Sequence, residues 1–394
     1  MSDFRPSDPF NIITKPIGAI CNLDCEYCYY LEKEDLYPNT PSFKMTDEAL
    51  ESFTRQYIYA QPVDAPYVIF TWQGGEPTLL GLNFFKKALA FQKKYERPGL
   101  EIRNSFQTNG TRLDDEWAKF FSDNNFLVGI SIDGPEDLHD EFRLDKRGRG
   151  SFQDVMRGLE YLLKYDVQFN TLTCVQSSNS SYPVKVYHFL KKIGSTFMQF
   201  IPIVEPEGDG KVSYRSVKPR MYGTFLNGVF DEWLRRKDVG HIFVQDFDVT
   251  LNLVMGYPSP ICFHAETCGH ALAIEHNGDL YSCDHFVLPD YRLGNIMEES
   301  MKSMHESERQ QKFGMDKKDT LPQYCLDCKF LTVCNGGCPK DRIINTPDGK
   351  PGLNYLCEGY KVYYKHTLPI FKKMAKCLEM GYPASAYKQL DQRR

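Results

Sequence analysis

A chain of 394 residues with 42% hydrophobic and 25% charged residues is long enough to bury a large core, and more than one domain is expected. A net charge of -5 gives no general pull toward nucleic acid or an anionic membrane, and no apolar run approaches the ~20 residues of a membrane span. The opening Met-Ser-Asp-Phe-Arg-Pro lacks the apolar stretch of a signal peptide, so the expected location is a reducing cytoplasm.

The first predicted strand, Asn11–Lys15, runs into Cys21-Asn-Leu-Asp-Cys25-Glu-Tyr-Cys28, where three cysteines are spaced x3 then x2. Three close thiolates without a fourth nearby suggest a soft-metal site holding one position open. A zinc-binding or structural loop is the alternative. Further strands are predicted at Tyr67–Trp72, Ile102–Thr108, Leu127–Ile132, Phe169–Val175 and Phe197–Ile203. They are short and mostly rich in β-branched or aromatic residues, as buried parallel strands are. Amphipathic helices are predicted between them. Thr46-Asp-Glu-Ala opens one, its hydroxyl as N-cap with acids in the first turn. Leu82–Tyr95, Leu113–Ser122, Ser151–Lys164 and Val184–Lys192 read as the others. Strands alternating with helices predict an α/β fold, a parallel sheet with right-handed crossovers curled into a partial (β/α)6 barrel of the TIM type.

Active sites of such barrels lie at the C-terminal ends of the strands. Four loops meet that description: the cysteine loop, Gly74-Gly75-Glu76-Pro77, Gln107-Thr108-Asn109-Gly110 and Ser131-Ile132-Asp133-Gly134-Pro135. The segment Glu205–Lys218 reads as a linker or surface loop, and Pro219–Arg236 as a helix with Phe225, Val229, Phe230 and Trp233 on one face. The texture then changes to short strands, turns and cysteines. Asn277-Gly278 in Ala273–Cys283 signals a hairpin, with a type I′ turn expected.

Of 13 cysteines, three lie at 21–28, three at 262–283 and five at 325–357; Cys174 and Cys377 stand apart. In a reducing compartment such clusters read as metal sites rather than disulfides. Cys174 is expected to be a buried apolar residue of the fifth strand, Cys377 an incidental residue of a terminal helix, and the 24 Tyr and 27 Phe mainly packing. The nine histidines show no pair at helical metal-ligand spacing. The expected division is a barrel at 1–235, a cysteine-rich domain at 236–365 and a C-terminal helix and tail at 366–394.

The x3, x2 triad together with Gly-Gly-Glu-Pro at the next strand end resembles the radical S-adenosylmethionine enzymes. That resemblance implies a [4Fe–4S] cluster on Cys21, Cys25 and Cys28, whose fourth iron binds S-adenosylmethionine. It also implies cofactor contacts at Tyr27, Gly75, Ser131 and Arg143. The later set, Cys262-x5-Cys268-x14-Cys283 and Cys325-x2-Cys328-x5-Cys334-x3-Cys338-x18-Cys357, could make two zinc centres of four thiols each. It also resembles the SPASM domain, which carries two auxiliary [4Fe–4S] clusters. By that pattern one cluster takes Cys262, Cys268, Cys283 and Cys338, and the other Cys325, Cys328, Cys334 and Cys357, giving three clusters in all.

Within the SPASM-containing enzymes, the segments Cys21–Tyr30, Trp72–Leu79, Gln107–Thr111, Asn277–Phe286, Arg292–Ile296 and Leu353–Cys357 make the chain most similar to the anaerobic sulfatase-maturating enzymes. The resemblance implies oxidation of a Cys or Ser in a sulfatase Cys/Ser-x-Pro-x-Arg segment to Cα-formylglycine. A 5′-deoxyadenosyl radical takes a Cβ hydrogen atom, Asp284 takes the thiol or hydroxyl proton, and the auxiliary clusters take the remaining electron. It further implies a monomer served by a reduced flavodoxin or ferredoxin-type donor, with no nucleic-acid or membrane partner. A thiol titrates at ~8.5, so an aspartate accepts its proton uphill unless burial raises the carboxyl. Asp284 is therefore expected to be buried, with His285 and Tyr30 positioning the substrate. The alternatives are another SPASM peptide modification such as thioether crosslinking, which the short segment before the triad disfavours, and a zinc or iron–sulfur binding or carrier protein.

Overall fold

In the computed structural model, which describes residues 8–40 and 42–391, six parallel strands lie side by side in chain order. They are β1 (Asn11–Lys15), β2 (Tyr67–Trp72), β3 (Glu101–Thr108), β4 (Leu127–Ser131), β5 (Phe169–Val175) and β6 (Phe197–Pro202). Each is followed by at least one helix, giving the open α/β barrel expected from the alternation.

One face of the strands packs under the helices. Val68, Phe70 and Trp72 of β2, Phe106 of β3 and Val128 and Ile130 of β4 belong to a single apolar core. Rings continue it from strand to helix: Trp72 meets Phe85 at 5.5 Å, Phe85 meets Phe106 at 5.0 Å and Phe106 meets Phe121 at 4.9 Å. Burying each such ring is worth about 1.5–3 kcal/mol. Several alternate residues are polar and bond one another from strand to strand. Ser105 donates to Thr71 at 3.1 Å, and Gln107 donates to Ser131 at 3.1 Å. Gly129 makes room for Gln107, since a Cβ there would lie 2.2 Å from its Oε1.

Helix starts follow local chemistry. Thr46 Oγ1 accepts from the Ala49 amide at 3.2 Å, opening Asp47–Ala60 as expected. The helix expected at Leu113 begins at Asp115 instead, because Asp114 caps it by accepting from the Trp117 amide at 3.0 Å.

The sheet does not stop at the barrel. Phe243–Val244 pairs with β6, and Ala271–Glu275 pairs in parallel with β1, Lys15 standing opposite Glu275. Asp279–Tyr281 and Arg292–Asn295 then extend the sheet antiparallel to ten strands. The hairpin at Asn277-Gly278 is not the expected type I′ turn. Its loop is three residues long, the Gly278 amide bonds Glu275 O at 2.9 Å, and only Gly278 (φ 89) is left-handed. A type I turn closed by a left-handed glycine gives this geometry.

The boundary expected at 366 falls inside one 23-residue helix, Cys357–Glu379, which starts on a cysteine of the second cluster set. It packs on Pro219–Arg235 through paired glycines: a Cβ on Gly359 would lie 2.1 Å from Pro219 O, and one on Gly223 2.2 Å from Gly359 O. The two parts of the chain are thus joined at both ends, by a shared sheet and by a close helix crossing. Cys377, expected to be an incidental residue of a terminal helix, lies on that helix and is buried in the core.

Candidate active site

The loops after β1, β2 and β3 are tied together by their backbones. The Gly75 amide bonds Gly18 O at 2.7 Å, and the Glu76 amide bonds Ile20 O at 2.8 Å, just ahead of Cys21. A Cβ at Gly75 would stand 1.9 Å from Ile20 O, so only glycine permits this approach. Glu76 is fully buried. Its Oε1 accepts from the amide and hydroxyl of Thr78 (3.1 and 2.7 Å) and from Thr108 (2.8 Å), and its Oε2 accepts from the Asn109 amide (2.8 Å). Asn109 reaches the cysteine loop in turn, donating to Asn22 Oδ1 at 3.0 Å and to Cys21 Sγ at 3.7 Å. The Leu23 amide also points at Cys21 Sγ, at 3.4 Å. Donors of this kind stabilise a cluster thiolate. Burial, aided by the Glu76 carboxylate, pushes the free Cys21 thiol up to about 11, and burial also raises Cys25. Iron bound here must therefore displace thiol protons.

The loop after β4 closes the other side. Tyr27 is buried and donates its hydroxyl to Asp133 Oδ2, while Arg143 Nε pairs with the same oxygen at 3.0 Å. The Arg143 guanidinium lies 5.5 Å from the Tyr27 ring. His139, Ser151 and Arg143 O form a chain behind it, with His139 Nε2 to Ser151 Oγ at 3.1 Å and Ser151 Oγ to Arg143 O at 2.8 Å. Cys174 is not the apolar core residue expected from its strand. It projects toward this network, receiving Arg143 Nη2 at 3.6 Å, while its amide bonds Asp133 Oδ1 at 2.9 Å. Tyr27, Arg143 and the triad loop thus share one site. Ser131 lies on the lumen face, held by Gln107.

Asp284 lies where the extended sheet meets β1. It is 7% exposed, as expected. Lys15 Nζ stands 2.5 Å from its Oδ1, and Tyr29 donates its hydroxyl to Oδ2 at 2.6 Å. Its ionisation runs opposite to the expectation. Burial works to raise the carboxyl, but the Lys15 ammonium, His285 and the hydrogen bonds from Lys15 and Tyr29 outweigh it, holding Asp284 below the ordinary range. Lys15 also stacks over Tyr30, at 4.1 Å from the ring, and Tyr30 donates to Glu275. Tyr30 therefore braces the seam. His285 meets the Tyr29 ring at 5.5 Å and Cys338 Sγ at 3.8 Å, linking the carboxylate to a cysteine of the first auxiliary set.

The later cysteines gather in two groups. Cys325, Cys328, Cys334 and Cys357 line one cavity with Phe330, Tyr360 and Tyr364. Cys262, Cys268, Cys283 and Cys338 act electrostatically on one another across the loops that carry them. Burial raises the thiols of Cys262, Cys283 and Cys325, and pushes Cys268 and Cys357 up to about 11 and Cys334 and Cys338 up to about 12. Among the described residues no three Cys, His, Asp or Glu side chains converge on a point that a single ion would fill. Four thiols held apart around the walls of one cavity suit the corners of an iron–sulfur cube.

Lys15 and Tyr29 were not singled out from sequence, and Glu76, Asn109 and Asp133 were placed there only as members of loops at the barrel mouth. Lys15 carried a usable signal, a charge at the C-terminal end of a buried barrel strand. Tyr29 carried none, because its partner is 255 residues away.

Comparison with known proteins agrees with this geometry. The radical SAM superfamily matches residues 16–190, and an iron-sulfur cluster-binding domain, SPASM, matches residues 262–329. The chain is 48% identical over 398 residues to a serine-type anaerobic sulfatase-maturating enzyme of Bacteroides thetaiotaomicron, covering 97% of this chain and 95% of that one. It is 37% identical over 365 residues to a cysteine-type enzyme of Clostridium perfringens, covering 92% and 97%. A solved structure described as native anSMEcpe with bound AdoMet and Cp18Cys peptide superposes with a TM-score of 0.84 at 36% identity, covering 93% of this chain and 99% of that one.

Proposed function

The chain belongs to the anaerobic sulfatase-maturating enzymes, radical S-adenosylmethionine oxidoreductases with a SPASM domain, and on that premise we propose how its own residues divide the reaction. The substrate is a Cys or Ser side chain in a sulfatase Cys/Ser-x-Pro-x-Arg segment, oxidised to Cα-formylglycine. Taking the side chain to the aldehyde level removes two hydrogen nuclei and two electrons. When bound, S-adenosylmethionine and its iron–sulfur cluster supply a 5′-deoxyadenosyl radical that removes one hydrogen atom from Cβ.

Cys21, Cys25 and Cys28 hold that cluster, with Asn109 and the Leu23 amide supporting Cys21. Gly75 fixes the loop by its close approach to Ile20, and Tyr27, Ser131 and Arg143 bind the S-adenosylmethionine. The Tyr27–Asp133–Arg143 network keeps the Arg143 side chain rigid in a buried site.

Asp284 takes the substrate's thiol or hydroxyl proton. This is the observation that carries the proposal: a buried carboxylate kept ionised at the junction of barrel and cysteine-rich region. Its low proton affinity is matched to the order of events. The S–H or O–H next to a carbon radical is a stronger acid than in the parent side chain, so the carboxylate becomes an adequate base once the Cβ hydrogen has left. An incoming substrate group displaces the Tyr29 hydroxyl from Asp284 Oδ2, and Lys15 keeps the other oxygen aimed. The two sets of four cysteines in the SPASM domain would hold two auxiliary clusters, three clusters in all, and those clusters would supply the site for the remaining electron. The protein acts as a monomer in the cytoplasm with a flavodoxin- or ferredoxin-type donor; no described helix is long and apolar enough to cross a membrane.

Anaerobic incubation with S-adenosylmethionine, reductant and matched Cys and Ser peptides tests the assignment. Formylglycine and 5′-deoxyadenosine are expected in equal amounts, with sulfide released from the Cys peptide alone, as water hydrolyses its thioaldehyde to the aldehyde. Cofactor cleavage without an aldehyde in either peptide would remove the substrate assignment.

A further inference from the structure

The helix Glu308–Asp319 has a composition that does not explain its burial. Its sequence is Glu-Arg-Gln-Gln-Lys-Phe-Gly-Met-Asp-Lys-Lys-Asp, and its buried residues are Gln310, Gly314 and Lys317. These stand at i, i+4 and i+7, on one face. An ordinary surface helix turns an apolar stripe inward; this one turns in an amide, a glycine and an ammonium.

Every group on that face grips the cysteine loop ahead of the sheet. Gln310 donates to Gly269 O at 2.8 Å and Ser282 O at 3.2 Å, next to Cys268 and Cys283. Gly314 O receives the Cys268 amide at 3.0 Å. Lys317 is 1% exposed and donates from Nζ to Cys262 O at 2.5 Å and to Ala265 O. Two carbonyls satisfy hydrogen bonds but carry no countercharge. Burial works against the Lys317 ammonium, and Cys268, Cys262 and Cys338 work in its favour as thiolates, the form they take as cluster ligands. An ammonium this deep is stable only with opposite charge beside it. In this region that charge is supplied by the cysteines themselves.

We propose that Lys317 is a fixed internal cation that raises the reduction potential of the auxiliary cluster on Cys262, Cys268, Cys283 and Cys338, making this site the acceptor of the substrate's second electron. The inference rests on the cluster assignment given above. The balance is one electron: Cβ–H leaves as a hydrogen atom, the Sγ or Oγ proton goes to Asp284, and the last electron reduces this cluster by one as the C=S or C=O bond forms. A positive charge held in a low-dielectric site favours the more negative, reduced state. Asp284, only one residue from Cys283, opposes that effect but is itself paired with Lys15. Among the described residues Lys317 is paired with no such carboxylate.

The test is a potentiometric titration of the reconstituted full chain followed by electron paramagnetic resonance, without peptide. Signals that change on adding S-adenosylmethionine belong to the triad; those that do not belong to the auxiliary clusters. Lys317→Met and Lys317→Gln, the second keeping amide donors for the two carbonyls, are expected to retain iron. Each should lower one auxiliary midpoint by at least a tenfold change in equilibrium constant, 59 mV for one electron. Lys317→Arg is expected to stay near the parent value. With peptide, the neutral variants should release more 5′-deoxyadenosine per formylglycine. Unchanged auxiliary midpoints in an iron-replete neutral variant would overturn the proposal. So would loss of auxiliary iron in both neutral variants, which would make Lys317 a clamp of the Cys262–Cys268 loop. Because the midpoints are read without substrate, failure of the peptide assignment alone would leave them unaffected.

Discussion

The barrel and the cysteine-rich region bury different things. Under the barrel helices lie Phe53, Phe70, Trp72, Phe85, Phe106 and Phe121, a core that folding alone can dry and close. In the C-terminal region a helix buries Gln310 and Lys317, and a cavity is walled by Cys325, Cys328, Cys334 and Cys357. The barrel is a scaffold that acquires a cofactor at its mouth. The cysteine-rich region sets its thiols beside an apolar core that includes Val333, Leu356 and Tyr360, and on the proposed reading its stability and its electron-accepting role would depend on the same thiols.

Removing iron should separate the two most sharply. After anaerobic chelation, hydrogen exchange in 262–357 should rise toward that of an open chain, because binding free energy at structural metal centres is folding free energy. Strands β2–β5 should keep their protection. Uniform loss, or none, would break the contrast.

The next largest effect lies at the seam. Asp284→Asn is expected to cut formylglycine formation by ~10²–10⁴-fold, the range for losing a general base, while 5′-deoxyadenosine release continues. Equal loss of both products would mean that Asp284 maintains the radical site rather than finishing the oxidation. Gly75→Ala acts within the barrel. Its Cβ must displace the Ile20 carbonyl, so the variant should lose about four of about twelve irons and its cofactor cleavage, keeping the auxiliary signals. Full iron with normal cleavage would show that the triad loop tolerates the shift.

The smallest effect is a pH slope. Burial, aided by Arg143, pushes His139 down to about 3. Its folded value is depressed, so between there and 6.5 the unfolded chain binds more protons, and stability falls as pH drops below 6.5. The slope from this one group is up to about 1.4 kcal/mol per pH unit. His139→Asn should flatten the acid side of a stability–pH curve by that amount, whatever its offset at neutral pH. An unchanged slope would mean that His139 charges readily in the fold.

The same contrast decided what could be read from the chain. Short strands rich in β-branched or aromatic residues, alternating with amphipathic helices, announced the barrel because its residues are chosen for packing, and Thr46 marked a helix start by its cap and the acids that follow it. The helix Glu308–Asp319 gave no such pattern, because its buried face is polar. Of the site, the cysteine spacings and Gly75 were legible as local motifs. The roles of Tyr29 and Asp133 were not, since each acts through a partner distant in sequence, as Tyr27 does with Asp133 across 106 residues, whereas Lys15 carried a signal at its strand end that went unread. Burial of Asp284 was foreseen but its ionisation was not, because the sign is set by Lys15 on the far side of the seam.

The most direct test of the account follows one atom. A Cys or Ser peptide carrying deuterium at Cβ is incubated anaerobically with the enzyme, S-adenosylmethionine and reductant, and both products are weighed by mass spectrometry. One deuterium is expected to pass into 5′-deoxyadenosine for each formylglycine formed. Formylglycine accompanied by unlabelled 5′-deoxyadenosine would contradict it.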